Sequence, residues 1–586
     1  MTDVFVSGQN GERTTVRSRL IPEVKAEDVM GMLVVLALFI LVLGPLGTVL
    51  IQAFLPGLFH SQSTHFSLSG LAEVFSRPLW RTALQNSLFL ACASAFFGCL
   101  LGTLLGILRQ SPALRFGWML DIAAWAVIIL PSFILAQGWS LFGSRGGIAV
   151  SWLGLDFIPT ALFSPWGLVF IMSVKASPYA YLTVLAALQW KMDDFTHAAR
   201  LCGASPFRVL TTISIPMLLP AVLSGAVLIF IDVLGDFGLP AALATTYRFP
   251  TLTYAIYVAI NQSPIRFDLA GILAFYVTAI MLVAVLAYLL LVRRRRYDFL
   301  GGKAQLFQND KTTPSLFLNG AALAAIFLLL IIPIGSSVLV SFTQRVSAGF
   351  NFENLTLDHY RYVLNTSGAF LTALRNSLQI AAIAAIGSAI LAAAASYVLI
   401  FSDFRFNKLI DVTCTLSLAV PGVVLGIGYI FVWNAPILSD FNISLYGKPS
   451  ILVLAGIAGS VPIAIRVLLG AMAQVPASML SAAALQGAGL GRRIVTIVLP
   501  LIAAALLSAT LTAFGSAVFD LAINSILRPP RLDVLPVHVN RAFEQGLFGA
   551  ATAATLIAGS ATIIIIFVVR TLTLSTLRRL ISAPRT

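Results

Sequence analysis

Twelve stretches of 23 to 29 residues, each dominated by apolar side chains, divide this chain, and no other feature limits its fold as strongly. About 20 such residues carry an α-helix across the roughly 30 Å hydrocarbon core of a bilayer, where only internally hydrogen-bonded backbone is stable. The stretches lie near 31–54, 82–108, 117–141, 165–188, 216–240 and 269–292, then 316–342, 373–401, 409–433, 449–472, 500–526 and 548–570. They predict an all-α membrane protein with about twelve transmembrane helices. Only 10% of the 586 residues are charged, against about 25% in soluble domains, and no polar segment is long enough to house a separate soluble domain. The first run, GMLVVLALFILVLGPLGTVLIQAF, exceeds a signal-peptide core and reads as a retained helix.

Basic residues set the orientation. With the N-terminus in the cytoplasm, 23 of the 37 Lys and Arg fall on cytoplasmic segments and 11 on the opposite loops, leaving Lys175, Arg375 and Arg466 inside spans. That excess predicts a multi-pass protein with both termini cytoplasmic. It also accounts for the net charge of +14, and because the charges are scattered over many short loops a nucleic-acid partner is not expected. Cys92, Cys99, Cys202 and Cys414 fall in spans or on the cytoplasmic side. They read as small buried hydrophobes rather than a disulfide framework.

An internal repeat organises the spans. TALQNSL at 82–88 returns as TALRNSL at 372–378, displaced by 290, and the same shift relates Arg115, Phe116, Asp121 and Pro131 to Arg405, Phe406, Asp411 and Pro421. Beyond that the shift is 284, pairing Pro178 with Pro462, Gly203 with Gly487, Pro216 with Pro500 and Asp236 with Asp520. Six spans per copy return the chain to its starting side, so the copies are parallel repeats about an axis along the membrane normal. The expected divisions are a cytoplasmic tail at 1–30, repeat one at 31–292, a cytoplasmic linker at 293–315, repeat two at 316–570 and a second tail at 571–586.

Between spans four and five of each copy stands an unusual cytoplasmic loop, HAARLCGASPFRVLTTISIP at 197–216 and SAAALQGAGLGRRIVTIVLP at 481–500. Asp193 and Asp194 suit the first turn of a short helix. Ala198 and Ala199 offer a small face, Gly203 permits a sharp turn because it lacks a Cβ, and a second helix is expected to end at Pro216, which opens the next span. Asn86 and Asn376, equivalent within spans, suit interhelical hydrogen bonds.

Ala-Ala, three residues, Gly and then a Pro thirteen later, present twice, resembles the cytoplasmic loop of ATP-binding cassette importer permeases, whose pattern begins Glu-Ala-Ala. The likeness covers nearly the whole chain, because each repeat matches a six-span permease unit. It implies a type I importer permease fold, with each loop forming a coupling helix in a groove of an ATPase subunit. The coupling residues implied are His197, Ala198, Ala199, Arg200 and Gly203 in the first copy, and Ser481, Ala482, Ala483, Gly487, Arg492 and Arg493 in the second. His197 and Ser481 depart from the family by replacing its glutamate. Arg200, Arg208, Arg492 and Arg493 offer other polar contacts.

The chain lacks a glycine-rich loop ending in Gly-Lys-Ser/Thr, since neither GGKAQ at 301–305 nor YGKPS at 446–450 qualifies. His60, His65, His197, His359 and His538 show no close ligand spacing and no GxSxG elbow is present, so no catalytic residue, metal centre or cofactor is expected in the chain. ATP and magnesium are assigned to two partner ATPase subunits, and the resemblance adds a periplasmic substrate-binding protein and a bacterial inner membrane. Fused permeases of this size resemble the ferric-iron importer branch, with relatives handling thiamine, phosphonates or sugar phosphates. DVLGDFGLPAAL at 232–243 and ILRPPRLDVLPVHV at 526–539 carry that likeness, whereas FDLAINS at 519–525 departs from it. Asp232, Asp236 and Asp520 are the candidate translocation path. Asp236 and Asp520 each lie twenty residues past a proline, about 30 Å along a helix, and are expected near the outer mouth, either lining it or capping helix ends or pairing with outer-loop arginines such as Arg248 or Arg528. An ion-coupled secondary transporter is the alternative from another class, but it would need charges at mid-membrane and broken half-helices, which the sequence does not display.

Overall fold

The computed structural model describes residues 26–55, 66–188, 198–294, 315–349, 351–365, 368–417, 420–441 and 443–582. His197, most of the linker expected at 293–315, and the outer parts of both tails lie outside them. The first copy comprises α1 (Ala26–Phe54), α2 (Pro78–Arg109), α3 (Gly117–Ile129), α4 (Ser132–Gly143), α5 (Pro165–Leu188), α6 (Phe207–Gly235), α7 (Gly238–Tyr247), α8 (Leu252–Asn261) and α9 (Phe267–Arg294). The second comprises α10 (Leu316–Ser341), α11 (Ala369–Phe401), α12 (Asn407–Ser417), α13 (Gly422–Trp433), α14 (Ser450–Met472), α15 (Ala477–Leu485), α16 (Leu490–Val518), α17 (Leu521–Leu527), α18 (Leu535–Glu544) and α19 (Phe548–Ser582). The last helix therefore runs twelve residues past the expected end of its span at 570.

Ten of these helices are long and apolar enough to cross a membrane. The other two expected spans are bent, by 108° between α3 and α4 and by 118° between α12 and α13. Proline explains each bend. Pro131 and Pro421 hold ψ of 136° and 144°, and each leads directly into a new helix. The α3–α4 pair nevertheless crosses the membrane. Gly98, Gly102 and Gly106 of α2 lie against Ser173, Ser177 and Val184 of α5 in that order, so α2 and α5 run parallel and the chain must change sides between them.

Small residues permit that approach. A Cβ at Gly102 would collide with the Ser177 carbonyl, and the second copy places fully buried Ser388, Ala392 and Ser396 along the matching stripe of α11. The two copies also exchange their first spans. In α1, Pro45 lies against Gly428 of α13, and in α10, Pro333 lies against Gly138 of α4, with no room for a Cβ at either glycine. Pro45 has no N–H to offer the Leu41 carbonyl, which instead accepts a 3.2 Å hydrogen bond from the Tyr429 hydroxyl. Apolar packing is thus continuous between the copies.

Two expectations need correction. Broken helices are present, at Pro131, Pro421, Asp236 and Asp520, because a proline or a capping aspartate ends one segment and opens the next in what reads as a single apolar run. And of the cysteines only Cys99 and Cys414 are buried, while Cys92 and Cys202 are exposed.

Candidate functional site

The two Ala-Ala-Gly loops close by the same backbone device. Residues 198–201 and α15 are helical, and each helix ends at a glycine in the left-handed region, Gly203 at φ +81° and Gly487 at φ +80°. In the first loop the Gly203 N–H donates to the Arg200 carbonyl at 2.9 Å and the Ala204 N–H to the Ala199 carbonyl at 3.0 Å. In the second, Gly487 donates to Ala484 at 2.9 Å and Ala488 to Ala483 at 3.0 Å. This paired closure satisfies the last carbonyls of a helix and needs φ > 0 at one residue, which glycine adopts without a steric penalty. Ala199 and Ala483 thus supply the acceptors that close the turn, while Ala198 and Ala482 accept from Cys202 and Gln486.

Beyond each turn the chain does not stop at the proline. A π-helical segment, Leu210–Ser214 in one copy and Ile494–Val498 in the other, leads straight into the next span. The extra residue per turn accommodates Pro216 and Pro500, which have no N–H for a regular helical bond.

The polar side chains of the loops divide into exposed and buttressed groups. Arg200, Arg208 and Arg492 are exposed, as is Ser481, whose hydroxyl turns back to the Ala477 carbonyl at 3.1 Å. Arg493 instead pairs with Glu27 of α1 at 3.2 Å, tying the second loop to the crossing-over first span. The most exposed large apolar side chains of the two loops are leucines: Leu201 is 89% and Leu485 90% exposed, at matching positions two residues past the alanine pair. The repeat carries that signal in plain view, but leucine in so apolar a chain does not stand out.

The three candidate carboxylates surround one cavity of ≈310 Å³ between the copies, lined also by Lys175, Tyr179, Ser132 and Ser516. Asp236 follows α6 and accepts from the Leu239 N–H at 3.2 Å; Asp520 opens α17 and accepts from the Ile523 N–H at 2.9 Å. Both therefore cap broken helices, where the partial positive charge of a helix N-terminus favours a carboxylate. Both also line the cavity, so the capping and lining roles coexist.

Lys175 binds the first-copy carboxylates together. Its Nζ lies 2.6 Å from Asp232 Oδ2 and 3.0 Å from Asp236 Oδ2, the Tyr179 hydroxyl donates to Asp232 Oδ1 at 3.0 Å, and the Ser132 hydroxyl to Asp236 Oδ1 at 2.7 Å. Arg528 lies 4.0 Å from Asp533. Depth follows from α5: Lys175 is ten residues from Pro165 and thirteen from Leu188, about 15 and 20 Å at 1.5 Å per residue. The carboxylates consequently sit well inside the span rather than at an outer mouth, because α7 and α8 follow them before the chain reaches the next span. A lysine within an apolar span was the available signal.

Asn86 and Asn376 do not bridge two helices as expected; each donates to a loop carbonyl, that of Pro250 and that of Asp533, at 3.0 and 2.9 Å. Their neighbours Ser87 and Ser377 accept from the N–H groups of Leu252 and Leu535 at 2.7 and 2.8 Å, fixing α8 and α18 above the cavity at equivalent places.

Residues 98–297 and 385–582 each match the family described as binding-protein-dependent transport system inner membrane component. The chain is 23% identical to the ferric transport system permease protein FbpB of Actinobacillus pleuropneumoniae over 528 residues, covering 89% of this chain and 74% of that protein. It is 24% identical to the probable ABC transporter permease protein y4fN of Sinorhizobium fredii, covering 84% of this chain and 88% of that protein. Over 38% of its length it is 26% identical to the probable sulfate transport system permease protein cysT of Anthoceros angustus, covering 76% of that protein.

Proposed function

Since the chain belongs to the family of binding-protein-dependent transport system inner membrane components, being a fused two-repeat permease of the ABC importer class, we propose that it passes ferric iron from a periplasmic binding protein into the cytoplasm. The observation that carries the coupling half of this reading is the recurrence of one glycine-closed turn, with an exposed leucine, at the same place in both copies. Each turn is a rigid knob that presents apolar surface and arginines to a partner. Two knobs on one chain suit two ATPase subunits, one per copy.

The cargo half rests on the cavity and the relatives. Two relatives named for ferric transport match 89% and 83% of the chain and a third matches 53%, whereas the sulfate relative named above matches 38%. The cavity sets Asp232, Asp236 and Asp520 against Lys175, a net negative lining that attracts cations and repels oxyanions, more strongly in a partly dehydrated site than in bulk water. Thiamine, also cationic, is the next reading; phosphonates and sugar phosphates fit the lining less well. The side bearing the two loops is the cytoplasmic one, with both termini on it, and the membrane is the bacterial inner membrane. ATP and magnesium act on the ATPase subunits, and this chain acts as a path rather than as an enzyme.

The test is composition followed by stimulation. Mass measurement of the intact complex should give two ATPase subunits per chain, and the ferric-loaded binding protein should raise ATP hydrolysis above the level reached with its unloaded form. One ATPase per chain, or stimulation by a sulfate-loaded binding protein alone, would contradict the proposal.

A further inference from the structure

The repeat does not extend to the chemistry around the cavity. With the displacement of 284, Lys175, Tyr179, Asp232 and Asp236 correspond to Gly459, Ile463, Ser516 and Asp520, and with that of 290 Ser132 corresponds to Gly422. Only the capping aspartate is common to both copies. In the first copy every carboxylate oxygen of Asp232 and Asp236 has a partner, supplied by Lys175, Tyr179, Ser132 and the Leu239 N–H. Asp520 has the Ile523 N–H on Oδ1, and among the described residues no Lys or Arg pairs with it.

Space tells the same story. Around Gly459, Ile463 and Gly422 the second copy holds a further cavity of ≈170 Å³, and Asp520 lines both this and the central one. A Cβ at Gly459 would lie 3.2 Å from Ile523 Cδ1 and 3.9 Å from Asp520 Oδ2, so a side chain there would stand beside Asp520 once the end of the Ile523 side chain gives way.

We propose that Asp520 is the carboxylate a cationic cargo meets in the path, and that Lys175 is a tethered counter-ion that withdraws Asp232 and Asp236 from that contact. This rests on the reading of the chain as an importer of a cation. A cargo reaching for Asp232 or Asp236 must displace an ammonium held at 2.6 and 3.0 Å in a largely buried site, and breaking such a pair leaves a charge uncompensated. Asp520 can be approached through open volume without breaking an ion pair. One ammonium against two carboxylates leaves the first copy a net charge of −1 but no unpartnered oxygen, so direct contact falls to Asp520 alone, which suits conduction because an ion must bind strongly enough to enter and weakly enough to leave. Lys175 is in this sense a positioning residue, and Asp520 sets specificity.

The experiment uses the reconstituted complex with radiolabelled ferric ion delivered on its binding protein. Asp520→Asn should lower the maximal uptake rate by about tenfold or more at an equal amount of assembled complex, with the half-saturating concentration of loaded binding protein little changed. Asp520→Glu should recover part of the loss. Gly459→Lys, which brings an ammonium to Asp520 from the place Lys175 occupies in the first copy, should lower uptake as far as Asp520→Asn does. The combined variant Lys175→Met, Asp232→Asn, Asp236→Asn removes the whole network without leaving a buried charge unpaired, and should lose about tenfold less uptake than Asp520→Asn alone. Normal uptake in Asp520→Asn or in Gly459→Lys, or a loss in the combined variant as large as in Asp520→Asn, would overturn the assignment. No ATP-driven ferric uptake by the unaltered complex would instead overturn the functional reading on which it rests.

Discussion

Valine at Gly203 and Gly487 isolates the backbone contribution of the two loops. A Cβ at either position meets nothing within 4 Å, so the substitution adds no clash, and its whole cost comes from holding φ near +81° or +80°. For a β-branched residue that cost is about 1–3 kcal/mol, which lowers the fraction of loops holding the closed turn by roughly 5- to 150-fold. The hydrogen bonds from residues 203, 204, 487 and 488 to the helix carbonyls are lost with the turn. Asparagine, which enters the left-handed region more readily, is the matched control. The assay is uptake per ATP hydrolysed in proteoliposomes holding the complete complex. Gly203→Val and Gly487→Val should each lower that ratio, the double variant more, and the asparagine variants should stay close to the unaltered protein. Unchanged coupling in the valine double variant, with the turn opened, would remove the loops from the mechanism.

Replacing both Leu201 and Leu485 by Asp should weaken association with the ATPase subunits, since burying one leucine contributes about 1.5–3 kcal/mol, and co-purification at graded concentrations would measure it. Gly138→Leu or Gly428→Leu should prevent α10 or α1 from crossing to the other copy, because the proline carbonyl opposite leaves no room for a side chain; the readout is the yield of monodisperse protein. In a background without the native cysteines, a cysteine at Gly146 should react with a membrane-impermeant thiol reagent added outside sealed cells, and one at Gly489 should not. The reverse pattern would invert the orientation.

Helix class, repeat and loop positions were legible in the sequence because each rests on a local rule: apolar length for the spans, a constant displacement for the copies, and glycine before a proline for the turns. The parallel packing of α2 on α5 was also encoded, in Gly98, Gly102 and Gly106, but its second-copy counterpart uses Ser388, Ala392 and Ser396 and hides the pattern. Exchange of the first spans was not legible, since Pro45 and Gly428 are brought together only by tertiary packing. The breaks at Asp236 and Asp520 escaped for a different reason. Apolar residues continue on both sides of each aspartate, and hydropathy cannot tell a continuous helix from two capped ones. Lys175 lay within a span without its partners, because 57 and 61 residues separate it from Asp232 and Asp236. The same separation concealed the asymmetry, which appears only when Gly459 is set beside Lys175 in space.

ATP dependence of uptake tests the central claim most directly. Proteoliposomes containing this chain, its ATPase subunits and internal ATP, with the binding protein and ferric ion outside, should accumulate iron at an undiminished rate after ionophores collapse the proton and sodium gradients. Uptake that stops with the gradients and ignores ATP would contradict the account.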